Sequence, residues 1–354
     1  MNTQVISCAA QEEAGTTLGA SLIRSGELVA FPTETVYGLG ANGLDGDAVN
    51  RIFEAKGRPN DNPLILHIAK KSDLKKLWAH VPERAYPLIE TFWPGPLTLI
   101  FHKAEIVPYE VTAGLETVAV RMPSDRTARA LIRKAEVPIA APSANRSGKP
   151  SPTNARHVLD DMDGRIPLIL DGGDCKYGVE STVLSLVGEP TILRPGAVTK
   201  EMLEAVIGPV RLAASILKPL GEREVAASPG MKYKHYAPDA RVIVVDGTPE
   251  QTANCVLSLY YDFLEQGKTV QILSTAQTHF RYRGAEATEI GDREHPQTLC
   301  ANLFTALRDV GSVCDVILAE GIGTSEEGLA YMNRLLRAAG FERVDASQNI
   351  CEKL

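Results

Sequence analysis

The stretch AKGRPNDNPLILHI, residues 55–68, carries the local signals that predict an α/β fold. A helix is predicted to end at its start, where a glycine and then a proline interrupt the chain. The apolar run PLILHI that follows is typical of a buried strand. The same stretch also places Lys56, Arg58 and His67 around one loop. A helix end alone needs no more than the glycine and one basic residue, so this grouping suggests a functional site.

The residues on either side extend this α/β alternation. Helical periodicity alternates with β-rich runs as far as residue 135, and residues 167–194 read as short strands joined by glycine turns. We therefore predict that residues 1–208 form a twisted mixed sheet with helices packed on it. The helices predicted before residue 140 are 11–25, 46–56, 72–91 and 126–135.

The second part of the chain has a different organisation. Residues 209–240 contain four prolines and show no sustained apolar period, which predicts a linker. Residues 241–354 resume a βαβ order, beginning with RVIVVDG. This order predicts a smaller, Rossmann-like parallel α/β domain.

Composition limits the possible functions. The 354 residues have a formal net charge of −7 and a pI near 5.6, so the whole surface is expected to repel a polyanion. The sequence lacks an apolar stretch long enough for a membrane helix, and its first residues do not resemble a signal peptide. We therefore expect a cytosolic protein that does not contact membranes. The six cysteines show no C-x-x-C pair and no spacing typical of a zinc site.

Three glycine-containing motifs resemble phosphate-binding loops. GLGANG at 38–43 matches the dinucleotide fingerprint, but the proline before it and the late helix after it favour closely packed backbone instead. SANRSGKPS at 143–151 departs from a Walker A motif at both ends, yet its hydroxyl and amide side chains can bind an anion at the end of a strand. AEGIGTSEEG at 319–328 is more typical of a tight strand-to-helix connection.

Four basic residues indicate an anion-binding pocket. Lys56 and Arg58 follow a predicted helix, while Arg121 and Arg194 lie in or directly after apolar, β-rich runs. A buried charge without a partner is costly, so such positions imply a binding partner. We predict that the four cations line one shared pocket.

Other polar residues of the first domain have simpler explanations. From its position alone, His67 is expected to be a core histidine with its hydrogen bonds satisfied. Glu34 and Glu180, the nearest to a pair of carboxylates, each lie beside hydroxyl residues. General-acid work is one interpretation, but helix capping or a hydrogen-bonded turn is the favoured role. The sequence contains no G-x-S-x-G, H-E-x-x-H or reactive Cys-His motif, which argues against acyl-enzyme or zinc chemistry.

Eight motifs along the chain carry a resemblance to a known family. They are FPTETVYGLGANG (31–43), KGRPNDNPLILHI (56–68), WPGPLTLIF (93–101), VAVRMP (118–123), PSANRSGKPSPT (142–153), GVESTV (178–183), ILRPGAV (192–198) and SPGMKYKHYAP (228–238). Together they resemble the threonylcarbamoyl-AMP synthase family, and the resemblance covers nearly the whole chain. SPGMKYKHYAP and the small α/β domain after it are similar to the two-domain Sua-type branch of the YrdC-like proteins.

The resemblance implies a nucleotidyltransferase that condenses L-threonine, bicarbonate or CO2, and ATP into threonylcarbamoyl-AMP and pyrophosphate. The product serves the threonylcarbamoyladenosine modification of tRNA, which implies a downstream tRNA threonylcarbamoyl transferase. The expected cofactor is Mg²⁺ bound through the ATP phosphates, with no protein metal site, no zinc and no organic cofactor. The family's tetrad of catalytic residues falls on Lys56, Arg58, Ser143 and Asn145.

The resemblance also implies the residues that bind each substrate. The linker is expected to close over the active site, with Tyr233 and Tyr236 as competing candidates for contact with the nucleotide. The residues implied for threonine are Thr35, His67, Arg121, Ala141 and Ser181. Those implied for ATP are Arg58, Asn62, Thr117, Ser143, Ser151 and Arg194, with the two tyrosines.

Two alternatives remain open from the sequence. A basic pocket is also compatible with an RNA- or tRNA-binding module that has incidental affinity for nucleotides, although the acidic composition argues against it. A carbamoyl-transfer domain that uses carbamoyl phosphate shares the same fold family, and the absence of its accessory domains argues against it. The sequence leaves open the choice between monomer and dimer and the role of the C-terminal domain.

Overall fold

The computed structural model describes residues 2–218 and 236–348. These residues form two units. Unit 1 comprises residues 2–147 and 151–218, and unit 2 comprises residues 148–150 and 236–348. Over the described ranges, no helix is both long enough and apolar enough to span a membrane.

Unit 1 is built on one large mixed sheet. Its strands are β1 (Gln4–Ser7), β2 (Val29–Phe31), β3 (Gly38–Asn42), β4 (Ile65–His67), β5 (Leu97–His102), β6 (Thr117–Arg121), β7 (Ile139–Ala140), β8 (Leu168–Asp171), β9 (Thr182–Ser185), β10 (Thr191–Arg194) and β11 (Arg211–Leu212). They are arranged in the order β1-β8-β2-β3-β7-β4-β6-β5-β9-β10-β11. Pairs such as β1 with β8 and β4 with β6 are parallel, whereas β5 with β6 and β9 with β10 are antiparallel.

The helices of unit 1 cover this sheet. Side chains of two of them, including Ile23 and Leu131, pack against Phe31 and Leu168 of the strands in one apolar core. Burial of apolar surface stabilises this packing by about 25 cal/mol per Å². The helices are α1 (Cys8–Arg24), α2 (Gly46–Lys56), α3 (Leu74–Leu77), α4 (Ala85–Phe92), α5 (Tyr109–Thr112), α6 (Arg126–Ala135), α7 (Ala155–Met162) and α8 (Lys200–Ile207).

The mixed-sheet prediction is confirmed, but one predicted helix is wrong. Residues 72–91 do not form a single helix, since α3 ends at Leu77 and α4 begins at Ala85. Trp78 is extended and pairs with Lys103 in an isolated bridge, and Pro82 lies in the interruption. Tertiary pairing of Trp78 therefore overrides a continuous helical periodicity.

The GLGANG motif lies in a strand. Residues Gly38–Asn42 form β3, which pairs antiparallel with β2 and β7. A Cβ added at Gly40 would lie 2.7 Å from Ile139 Cγ2, so the glycine permits close approach of neighbouring strands. This confirms the interpretation as closely packed backbone.

Unit 2 contains the predicted parallel sheet. Its elements are β12 (Arg241–Asp246), α9 (Pro249–Glu265), β13 (Val270–Thr275), β14 (Ala287–Gly291), α10 (Pro296–Gly311), β15 (Val316–Glu320), α11 (Gly328–Ala338) and β16 (Arg343–Asp345). The strand order is β14-β13-β15-β12-β16, and each adjacent pair is parallel.

The glycine-rich turn after β15 is a tight connection. A Cβ at Gly321 would overlap the carboxylate of Asp246, so only glycine fits there. Glu326 and Glu327 directly precede α11 and make its N-terminus unfavourable for a phosphate.

Candidate active site

Lys56 connects the end of α2 to the loop after β7. The helix ends at Lys56 because Gly57 adopts the left-handed conformation, with a φ of 62°. The Lys56 side chain is buried, and its Nζ donates to the carbonyl oxygens of Ser143 at 2.5 Å and Asn145 at 2.6 Å. A lysine in this position fixes the main chain of the loop and adds a positive charge to it.

Two other residues of the predicted catalytic tetrad, Ser143 and Asn145, lie beside Lys56. Ser143 Oγ donates to Asn145 Oδ1 at 2.5 Å, and this oxygen also lies 3.4 Å from Lys56 Nζ. Arg58 donates to the carbonyl of Asn62, a predicted ATP-binding residue, at 3.0 Å. The structure thus joins Lys56, Ser143 and Asn145 directly, and the loop that follows Lys56 positions Arg58.

Arg121 is the centre of a second, fully buried group. Its Nη1 donates to Thr35 Oγ1 at 2.9 Å, and its Nη2 lies 2.7 Å from Glu34 Oε1. Burial alone would raise the pKa of Glu34, but the charge of Arg121 and hydrogen bonds outweigh this effect and lower the pKa below its usual value. The family resemblance predicts Arg121 and Thr35 as threonine ligands, and the structure brings the two side chains into contact.

His67 and Thr98 flank Arg121 on the neighbouring strands. In the sheet register, Arg121 of β6 pairs with His67 of β4 and with Thr98 of β5. Paired residues on adjacent strands project from the same face, so the three side chains form one row. Burial, followed by the charge of Arg121, lowers the pKa of His67 to about 3, and the imidazole is therefore neutral at pH 7.

Ser181 connects this row to Arg194. Thr98 Oγ1 lies 2.8 Å from Ser181 Oγ, and Arg194 donates to the carbonyl and hydroxyl oxygens of Ser181 at 3.0 and 3.1 Å. The predicted threonine ligand Ser181 and the predicted ATP ligand Arg194 are thus in direct contact. This contact marks the place where sites for the two substrates would meet.

Three other predicted residues lie in a loop or at strand ends: Ser151 precedes α7, Ala141 follows β7 and Thr117 begins β6. Ser151 Oγ donates to Glu180 Oε1 at 2.5 Å, and both side chains are buried. The Ala141 amide donates to the carbonyl of Ile65 at 3.0 Å, directly after β7. Thr117 begins β6, four residues before Arg121, and makes no hydrogen bond to another predicted site residue within the described ranges.

The two tyrosines of the linker differ in what the structure describes. Tyr233 lies outside the described residues. Tyr236 is buried in unit 2, where its ring centroid lies 4.9 Å from that of Phe304. The predicted contact of either tyrosine with the nucleotide stays a prediction.

Sequence reasoning missed the partners of the predicted ligands. Thr98 received no functional role, although TLIF follows the WPGP turn in a matching motif. Glu34 and Glu180 were expected to cap helices or turns, but they contact Arg121 and Ser151. The sequence signal that could have identified these two glutamates is their position next to the predicted threonine ligands Thr35 and Ser181.

Among residues 2–218 and 236–348, no group of three or more His, Cys, Asp or Glu side chains can hold a metal ion.

Comparison with known proteins gives matches along almost the whole chain. The family model described as "Telomere recombination" matches residues 21–196. The model described as "Threonylcarbamoyl-AMP synthase, C-terminal domain" matches residues 198–340.

Curated relatives and solved structures agree with these models. Threonylcarbamoyl-AMP synthases from Pyrococcus abyssi and Bacillus subtilis are each 50% identical, covering 92% and 91% of this chain and 94% and 92% of their own lengths. The crystal structure of P. abyssi Sua5 complexed with L-threonine is 48% identical, with a TM-score of 0.91, and the match covers 97% of this chain and 99% of that one. The chain therefore belongs to the threonylcarbamoyl-AMP synthase family, in its two-domain Sua5-type form.

Proposed function

We propose that this protein condenses L-threonine, bicarbonate or CO2, and ATP into threonylcarbamoyl-AMP and pyrophosphate. The observation that carries the proposal is the contact between the two predicted substrate sites, in which Arg194 donates twice to Ser181. Family membership supports the assignment of Ser181 to a threonine site, because a solved relative, P. abyssi Sua5, is complexed with L-threonine.

The row of side chains on β4, β6 and β5 is suited to an amino acid. Arg121 supplies a guanidinium for the carboxylate, and Thr35 fixes one of its nitrogens. The neutral His67 and the hydroxyl of Ser181 provide polar groups for the rest of the ligand. Ala141 contributes main chain at the end of β7.

The ATP site is proposed around the loop after β7. Lys56 and Arg58 provide positive charge, and Ser143 and Asn145 provide polar groups beside it. Mg²⁺ is proposed to bind through the ATP phosphates, where it would neutralise phosphate charge. The remaining proposed ATP ligands are Asn62, Thr117, Ser151 and Arg194.

The chemistry then proceeds in two steps. The threonine amine attacks the carbon of CO2 and its nitrogen releases a proton to the solvent, or it attacks bicarbonate and water leaves. Either route gives a carbamate that keeps one N–H group. A carbamate oxygen attacks the α-phosphorus of ATP, and pyrophosphate leaves with the electrons of the broken P–O bond. Lys56 and Arg58 are preorganised to stabilise the charge that develops on the phosphate, so no covalent enzyme intermediate is needed.

Both the carbamate and the product are sensitive to water, which suggests two further parts of the proposal. Closure of the 209–240 linker would protect the carbamate, although residues 219–235 lie outside the described ranges. A tRNA threonylcarbamoyl transferase is proposed to consume the activated product. We propose a cytosolic location for this protein, because ATP and the tRNA that the transferase modifies are both found there.

The proposal is tested by measuring pyrophosphate release from ATP with Mg²⁺ and bicarbonate. We expect release with L-threonine, much less with L-serine and none without an amino acid, together with threonylcarbamoyl-AMP in the mass spectrum. Absence of threonine-dependent release would overturn the proposal. Salt-dependent titration with tRNA would then test the RNA-binding alternative.

A further inference from the structure

Glu34 and Arg121 form an ion pair in the interior of unit 1. Arg121 Nη2 lies 2.7 Å from Glu34 Oε1, and the two side chains are only 4% and 6% exposed. Taking two charges out of water costs several kcal/mol for each ion, so a buried pair of this kind needs well-directed hydrogen bonds to compensate.

The hydrogen bonds of this pair are incomplete. Arg121 Nη1 donates to Thr35 Oγ1 and Nε donates to the Gly95 carbonyl. Apart from their contact with each other, Arg121 Nη2 and both carboxylate oxygens of Glu34 are buried with no other well-directed hydrogen-bond partner among the described residues. The amides of Glu34 and Ser124 lie near enough to favour the ionised carboxylate, yet they do not complete its hydrogen bonds.

Beyond the ion pair itself, one donor and two acceptors thus lie side by side without another directed partner. Buried polar groups in native proteins are nearly always hydrogen-bonded, so such a set calls for an explanation. An α-amino acid carries the complementary set within a few ångströms: a carboxylate that accepts from a guanidinium, and an ammonium group that donates to a carboxylate.

We propose that Glu34 binds the ammonium group of the amino acid substrate while Arg121 binds its carboxylate. This inference rests on the proposed function, since it assigns the amine of the same threonine. In this role Glu34 determines specificity, because it selects substrates that carry an amine next to their carboxylate. The amine is also the group that reacts.

Glu34 is suited to recognition more than to removing a proton. Arg121 helps to keep the pKa of Glu34 below its usual value, so the carboxylate stays ionised at neutral pH and is a weak base. The ammonium proton therefore passes to the solvent or to bicarbonate before the amine attacks. The carbamate nitrogen keeps one N–H group, which can still donate to Glu34.

A chemical double-mutant cycle tests this assignment. Calorimetry compares L-threonine with its 2-hydroxy analogue, 2,3-dihydroxybutanoate, on the wild-type protein and on Glu34→Gln. We expect the wild type to prefer threonine by about 10- to 100-fold, the range for a hydrogen bond between charged groups. In Glu34→Gln this preference should shrink by about 10-fold, because the charged acceptor is lost.

The control is Thr35→Val, which removes a partner of Arg121 and leaves Glu34 intact. It should weaken both ligands by the same factor and preserve the preference for threonine. If Glu34→Gln also weakens both ligands equally and preserves the preference for threonine, Glu34 only holds Arg121 in place and the inference is wrong. Should Glu34→Gln not fold, Glu34→Asp takes its place in the cycle. It keeps the charge but withdraws the carboxylate by one methylene, so we expect a smaller preference for threonine, and an unchanged preference would overturn the inference.

The experiment also separates this inference from the proposed function. If the wild type does not bind threonine, both fail. If the wild type binds threonine and shows threonine-dependent pyrophosphate release, but the preference over the analogue is the same in the Glu34 variant, only the role of Glu34 is overturned.

Discussion

Arg194 holds Ser181 through two hydrogen bonds, from Nε to the carbonyl oxygen and from Nη2 to the side-chain oxygen. Ser181 directly precedes β9, and Arg194 is the last residue of β10. The contact therefore depends on the exact alignment of two antiparallel strands. Small changes in that alignment are expected to affect both substrates at once.

Gly196→Ala tests this dependence. A Cβ at residue 196 would lie 2.5 Å from the Thr182 amide and 2.8 Å from the Glu180 carbonyl, so the main chain must shift. Because misplacing a binding group by about 1 Å costs on the order of 100-fold in rate, we expect kcat/KM for threonine to fall by about 10- to 100-fold. Steady-state pyrophosphate release measures this effect.

Gly188→Ala is the matched control for that prediction. Gly188 has a φ of 70° but nothing within 4 Å of an added Cβ. This substitution should cost about 1–2 kcal/mol of folding free energy and leave kcat/KM unchanged. Equal kinetic losses in both variants would show that strand alignment at Gly196 does not matter.

Lys56→Met should abolish turnover and weaken the fold. The substitution keeps an apolar stem but removes the donors to the Ser143 and Asn145 carbonyls, and each unsatisfied buried group costs about 1–3 kcal/mol. We expect the free energy of unfolding in urea to fall by about 2–4 kcal/mol. The exposed Lys70→Met is the control. A Lys56 variant with wild-type turnover would contradict the role of this cation.

His67 should make stability depend on pH. Its pKa is about 3 in the folded state and 6.5 when unperturbed, so the unfolded chain binds the proton more tightly. The contribution of the neutral imidazole to the free energy of unfolding is complete above pH 6.5 and is lost as the pH falls towards 3. When the pH is lowered from 7 to 4.5, the free energy of unfolding of the wild type should therefore fall. In His67→Asn we expect this fall to be smaller by about 2–3 kcal/mol.

Urea unfolding at the two pH values measures this difference. The exposed His80→Asn serves as control and should follow the wild type at both values. A wild-type protein and a His67→Asn variant with the same pH dependence would show that the imidazole is not buried in its neutral form.

Glu320→Gln should destabilise unit 2. The Glu320 carboxylate is fully buried and accepts hydrogen bonds from Thr275, Thr278, Tyr282 and Arg293. Removing one partner of a buried ion pair costs about 3–5 kcal/mol, because the other charge is left uncompensated. Urea unfolding should show this loss for Glu320→Gln and a change below about 0.5 kcal/mol for the exposed Glu294→Gln.

Local sequence signals were sufficient for the main elements of the fold. Gly57 ends α2 at the predicted residue, and α6 has the predicted bounds, Arg126–Ala135. Local signals did not predict the break in the helix at residues 72–91, where Trp78 pairs with Lys103 in an isolated bridge. Helical periodicity reports only neighbours within a few turns, whereas a bridge to Lys103 depends on how the chain folds back.

The sequence by itself determined the two α/β parts, the types of the site residues and the family to which they belong. It did so because periodicity, glycine and proline positions and short motifs are local properties of the chain. Only the tertiary structure decided which residues meet: Glu34 with Arg121, Ser151 with Glu180, and Thr98 between Arg121 and Ser181. These contacts depend on strand order and register, and a spacing along the sequence does not encode either one.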